Sequence, residues 1–224
     1  MAGAAAAALA SAAALAAELT PTEARWLRGT GPVLSFARQS GMPLDVVVQP
    51  QPTPDQAPLA LAYQQGRCKL VLSMRGNAEA QATLDRIPGD LLDAALELMA
   101  AHELGHCRRY LDGAWFGTPS HFVASTPDIP NPLLRAAYLH MQGVRREEGY
   151  ADLVGLAWTQ RRHPQLYARL HAWLVAERSR DLLPGSHHDT LAWLRLVHDG
   201  RAWGAAPDFA RCGEVWAAGL QLDP

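Results

Sequence analysis

Two histidines, one helical turn apart, are the first residues in this sequence whose types and spacing suggest chemistry. They occur in the segment His102-Glu103-Leu104-Gly105-His106. Successive residues of a helix turn by about 100°, so His102 and His106 share a face and both imidazoles can reach one ion. Glu103 lies on the flank of that face, where its carboxylate can take a proton from a water on the ion. The pattern predicts a zinc site with a general base.

An acidic cluster further along the chain offers candidates for the third metal ligand. Glu148 and Asp152 are also four residues apart, so they share a helical face. One carboxylate can bind the ion, while the other accepts the N–H of a ligating imidazole. Glu147 competes with Glu148, but the spacing to Asp152 favours Glu148. Taken alone, such a cluster is more typical of a solvated acidic helix face paired with nearby arginines. The histidine pair reverses that preference.

These two segments resemble the motifs of gluzincin metallopeptidases, most closely the M48 family of Ste24- and HtpX-like enzymes. The segments 100–106 and 148–155 look like the family blocks A-H-E-x-G-H and E-x-x-A-D-x-x-G. The resemblance implies one zinc ion per chain, with Glu103 as general base and Asp152 orienting a ligand. The implied zinc ligands are His102, His106 and Glu148.

A downstream segment adds to the resemblance. Ser186-His187-His188-Asp189 is similar to the family's S-T-H-P segment, although Asp189 replaces the proline. By position, His188 is expected to donate to the oxyanion that forms when a carbonyl is attacked. The transmembrane helices of that family have no counterpart in this sequence, so the resemblance implies a minimal catalytic domain.

The sequence therefore predicts a zinc metallopeptidase acting on a peptide or protein substrate. An extended substrate is expected to pair with an edge strand, either 59–63 or 68–74. One alternative is a regulator protease of the ImmA/IrrE type, although no helix-turn-helix region is found. Another is a non-catalytic binding protein with a structural zinc, which needs a fourth ligand such as His188. Glu103 argues against that alternative, because a structural site does not use this carboxylate.

The hydrophobic pattern predicts an α+β fold, mainly helical, with a small antiparallel or mixed sheet. Thr20 or Thr22 is expected to cap the first helix, and Asp90 the helix that carries the histidines. The proline-rich stretch 113–132 is expected to be irregular. Strands are predicted at 44–48, 59–63 and 68–74, the last two as a hairpin. Helices are predicted at 22–38, 90–110, 133–161, 164–178, 188–198 and 208–219.

Bulk composition sets the remaining expectations. The chain has 224 residues, 49% of them apolar, which predicts one domain over residues 20–224 after an Ala-rich helix or tail over 1–19. The net charge of −2 gives no reason to expect nucleic acid as a partner. No run approaches the roughly 20 apolar residues of a membrane span, so no integral membrane segment is predicted.

The number and spacing of the cysteines indicate in which cellular compartment the protein is expected. Cys68, Cys107 and Cys212 cannot form a complete disulfide framework, and Cys107 is predicted to be a buried, inert thiol. A reducing, cytoplasmic compartment follows. The alternative is a periplasmic location with the Ala-rich N-terminus as signal peptide. No Lys or Arg precedes Arg25, and the missing positive charge favours the cytoplasm.

Overall fold

The computed structural model describes residues 18–51, 53, 56–124, 126–204 and 207–222. Within these residues the chain is mainly helical and has a three-stranded sheet, which confirms the α+β class. Of the predicted N-terminal tail, residues 1–17 lie outside the described residues. The strands are β1 (Leu44–Pro50), β2 (Leu59–Gln64) and β3 (Arg67–Arg75). The α-helices are α1 (Pro21–Gln39), α2 (Ala78–Arg86), α3 (Leu92–Leu111), α4 (Pro132–Arg162), α5 (Tyr167–Ser179), α6 (Leu191–Leu196) and α7 (Phe209–Gly219).

The sheet has the order β1-β3-β2, with β1 parallel and β2 antiparallel to β3. Gln65 and Gly66 join β2 to β3, and both have positive φ, as a tight two-residue hairpin turn requires. The predicted hairpin is confirmed. Of the two strands expected to present a free edge, only β2 does so, because β3 lies in the centre of the sheet.

The sheet and α1 pack along one side of α3. Buried side chains from each element meet there, among them Trp26 of α1, Leu72 of β3 and Leu96 of α3. Gly29 brings α1 especially close, since a Cβ at this position would lie 2.3 Å from a methyl carbon of Leu96. The sheet is thereby held against the helix that carries the two histidines.

Helices α3 and α4 form the centre of the molecule. Their facing sides bury Ala95, Leu98, Leu153 and Leu156, around which α5, α6 and α7 complete the larger core. Gly105 allows the two backbones to approach closely, because a Cβ there would lie 3.0 Å from Cα of Ala151. The predicted site residues of both helices are therefore brought to one interface.

One predicted helix cap is confirmed and one is wrong. The Thr20 hydroxyl accepts the N–H of Glu23 at 3.2 Å, and the Glu23 carboxylate accepts the N–H of Thr20 at 2.6 Å. Asp90, by contrast, lies in a short 3-10 turn before α3, and Leu91 occupies the cap position. The Asp90 carboxylate pairs with Arg169 of α5 instead.

The prediction for Cys107 as a free thiol is also wrong. Cys107 is buried as expected, but it forms a disulfide with Cys68, joining α3 to the central strand β3. Cys212 is free and buried. The sequence could not reveal this pair, because the two cysteines become neighbours only when the sheet packs on α3. The cytoplasmic expectation loses one of its two supporting observations, the absence of a disulfide, and stays a prediction.

None of the helices in the described part of the chain is both long and apolar enough to cross a membrane.

Candidate metal centre

Three side chains converge where α3 crosses α4. Nε2 of His102 lies 3.4 Å from one oxygen of Glu148, and Nε2 of His106 lies 3.3 Å from the other. The two Nε2 atoms are 3.1 Å apart. The ligand atoms of these residues all lie within 4.8 Å of one another, which suits one divalent ion. The structure thus brings together the three residues predicted as metal ligands.

Asp152 fixes the orientation of the first histidine. Its Oδ1 lies 2.9 Å from Nδ1 of His102, and a carboxylate can only accept, so Nδ1 carries the hydrogen. Nε2 of His102 is therefore the ring nitrogen that faces the cluster, and it offers a lone pair once it has lost its own proton. Burial opposes a charged ring, yet hydrogen bonds to Asp152 and Glu148 raise the pKa of His102 to about 10. The carboxylates make this a place where positive charge is stable, as a cation site requires.

Glu147, the competing third ligand, is directed elsewhere. Both of its oxygens accept hydrogen bonds from Arg109 at 2.9 Å, and one also accepts the N–H of Phe116 at 2.8 Å. Its side chain is 1% exposed. The adjacent Glu148 lies about 100° further round the helix and faces the histidines. The preference for Glu148 as the third candidate ligand agrees with this geometry.

Glu103 lines the same cleft as the three candidate ligands. Burial raises the pKa of its carboxyl, while His102 and His106 act in the opposite direction. A buried carboxyl whose pKa is raised and which lies beside two imidazoles has the environment of a proton-exchanging group.

His188 also lines this cleft, although it is not part of the three-residue ligand cluster. The structure places it in a turn before α6, whereas the sequence predicted a helix beginning at this residue. Burial and the positive charge of Arg178 lower the pKa of His188 to about 4. Its ring is therefore neutral at pH 7 and has one N–H to donate.

The cleft has a volume of about 580 Å³ and runs along α3. Leu98 and Met99 line it one turn before His102, and Tyr110 lines it one turn after His106. This length of helix corresponds to about 18 Å. Residues 57–61, including the start of the edge strand β2, form part of the wall. An extended chain covers the same distance with about five or six residues.

Sequence reasoning missed Arg178, Thr190 and the aromatic residues beside His106. The ring of Trp115 packs against that of His106, with 5.7 Å between ring centroids, and stacks on that of Tyr110, with 3.9 Å between centroids. Arg178 and Thr190 both donate to Asp152. Apart from Tyr110, which lies one turn after His106 on α3, these residues lie on other elements with no shared spacing, so only the folded chain shows that they meet.

No known protein family, curated protein or solved structure matches this chain.

Proposed function

We propose that this protein is a zinc-dependent metallopeptidase that hydrolyses peptide bonds, with Glu103 as its general base. The observation that carries the proposal is the convergence of His102, His106 and Glu148 in a cleft that Glu103 also lines. A site with two imidazoles, one carboxylate and room for a further ligand is typical of catalytic rather than structural zinc. The resemblance of the two sequence motifs to gluzincins supports the same proposal.

The protein's own groups have distinct tasks in this mechanism. A zinc ion, when bound, supplies a Lewis acid that acidifies a water and polarises the scissile carbonyl. The Glu103 carboxylate takes the proton of the attacking water and delivers it to the leaving amine. His188, being neutral, donates its N–H to the oxygen on which negative charge develops. The free edge of β2 offers backbone groups to an extended substrate.

The decisive experiment compares the zinc-loaded protein with its Glu103→Gln variant on a peptide library. Zinc content and the unfolding curve are expected to stay unchanged, because Glu103 is not among the ligands. Cleavage is expected to fall by at least about a hundredfold. Cleavage at the original rate by the variant, or none by the zinc-loaded parent protein, would contradict the proposal.

A further inference from the structure

The carboxylate of Asp152 is a four-way junction at the edge of the candidate metal centre. Its Oδ1 is 2.9 Å from Nδ1 of His102 and 2.6 Å from an Nη of Arg178. Its Oδ2 accepts from Nε of Arg178 at 2.9 Å and from the hydroxyl of Thr190 at 2.6 Å. Asp152 is 0% exposed, so these four contacts replace water entirely. Each donor restricts the direction in which the carboxylate points.

Arg178 connects this junction to a candidate ligand. The Nη that reaches Oδ1 of Asp152 also lies 3.2 Å from Oε2 of Glu148. One planar guanidinium therefore spans both carboxylates that α4 contributes, and its fixed fork sets the distance between them. A lysine has the same charge but lacks that fork.

Two of the three residues that donate to Asp152, Arg178 and Thr190, come from the two ends of one chain segment. Arg178 is the penultimate residue of α5, and Thr190 immediately precedes α6. Between them, residues 179–189 include His188, which lines the cleft. Thr190 is fully buried, and its hydroxyl is directed at Asp152 rather than at the first turn of α6. Both ends of the segment are thus attached to the carboxylate that orients His102.

We propose that Arg178 and Thr190 are positioning residues that hold His102 and the His188 segment in register through Asp152. The roles of His102 and His188 in this inference rest on the proposed function. Neither positioning residue is required to touch the substrate or the ion. Loss of either one loosens the ring of His102 and shifts His188 relative to the cleft.

The test uses Thr190→Val, which removes only the hydroxyl, and Arg178→Lys, which keeps the charge without the fork. Zinc affinity is measured by competition with a chromophoric chelator, and the visible spectrum of the cobalt-substituted protein reports ligand geometry. Both variants are expected to bind zinc about 10- to 100-fold more weakly and to alter the cobalt spectrum. Where cleavage is measurable, kcat is expected to fall more than KM rises.

Two control variants separate positioning from general stability. Thr159→Val also removes the hydroxyl of a fully buried threonine, but Thr159 lies on α4 and donates to the backbone carbonyl of Gly155. Arg169→Lys alters another arginine of α5, which pairs with Asp90 at the surface. Both controls are expected to keep parental zinc affinity and cobalt spectrum, whatever their melting temperature.

Parental zinc affinity and cobalt spectrum in both Thr190→Val and Arg178→Lys would overturn the inference, as would equal losses in the controls. The affinity measurement needs no substrate, so it distinguishes this failure from failure of the proposed function. A parent protein that binds zinc but cleaves no peptide would reject the peptidase while leaving the positioning result interpretable.

Discussion

Neighbouring residues on one helix have separate tasks at this site. Glu147 and Glu148 differ by about 100° in direction, and that angle turns Glu147 to the buried Arg109 and Glu148 to the two imidazoles. The Arg109–Glu147 pair also holds the loop after α3, because Glu147 accepts the N–H of Phe116 and Arg109 donates to the carbonyl of Gly117. Charge alone could not separate the two glutamates in the sequence.

A pair of isosteric substitutions tests this division. Glu148→Gln is expected to reduce zinc content sharply, since a neutral amide is a poor ligand, while stability in the absence of zinc changes less. Glu147→Gln is expected to retain zinc but to lower the free energy of unfolding by about 3–5 kcal/mol, because Arg109 is left buried without its counter-charge. Metal analysis and urea unfolding report the two effects. Full zinc occupancy in Glu148→Gln would show that another residue completes the ligand set.

His188 provides a second test at this scale. His188→Ala is expected to lower kcat by about ten- to a thousandfold with zinc content unchanged, because an oxyanion donor is lost while the ligands remain. Steady-state kinetics on a cleaved peptide, combined with metal analysis, measures this. Zinc loss in this variant would instead indicate a fourth ligand and favour a structural site.

Among the secondary-structure elements, local patterns were predictable and pairings between distant elements were not. The helix predicted at 90–110 and the β2–β3 hairpin depend on neighbours in sequence, and both agree with the structure. The parallel pairing of β1 with β3 depends on packing against α1 and α3, so the sequence left it undecided. Helix α2 was not predicted, since its nine residues bury only Ala80 and Leu84 and leave a short apolar pattern.

The close approach of α3 and α4 depends on Gly105, a residue between the two histidines that has no part in the proposed chemistry. Gly105→Ala is expected to lower the free energy of unfolding by about 1–3 kcal/mol and to weaken zinc binding, because its Cβ meets the α4 backbone and moves the ligand pair away from Glu148. Chemical unfolding and chelator competition measure the two effects.

Gly213 supplies the matched control for this substitution. It lies inside α7, and a Cβ there has no neighbour within 4 Å among the described residues. Gly213→Ala is therefore expected to stabilise the protein by about 0.5–1 kcal/mol, through helix propensity alone. Unchanged zinc affinity in Gly105→Ala would show that the helix spacing does not control the site.

At the scale of the whole molecule, a disulfide bond links the sheet to α3, and both line the cleft. The disulfide joins β3, the neighbour of the edge strand, to α3 at the residue after His106. The bond closes a loop across 39 positions, which corresponds to about 4 kcal/mol of chain entropy in the unfolded state.

Combined Cys68→Ala and Cys107→Ala substitution is expected to lower the free energy of unfolding by about 2–4 kcal/mol, because the unfolded chain regains that freedom. Zinc binding is expected to persist, since neither cysteine is a candidate ligand. Urea unfolding with and without reductant provides the measurement. Reductant should destabilise the parent protein and leave the double variant unchanged. An equal effect of reductant on both would exclude the disulfide as its cause.

The three candidate ligands lie on two helices that meet only in the folded chain. An ion held between them binds the native state in preference to the unfolded one, so mass action couples folding to the supply of metal. Each tenfold rise in free zinc above its dissociation constant adds about 1.4 kcal/mol to the free energy of unfolding. Under this coupling, metal scarcity would reduce the amount of folded protein as well as the activity of each molecule.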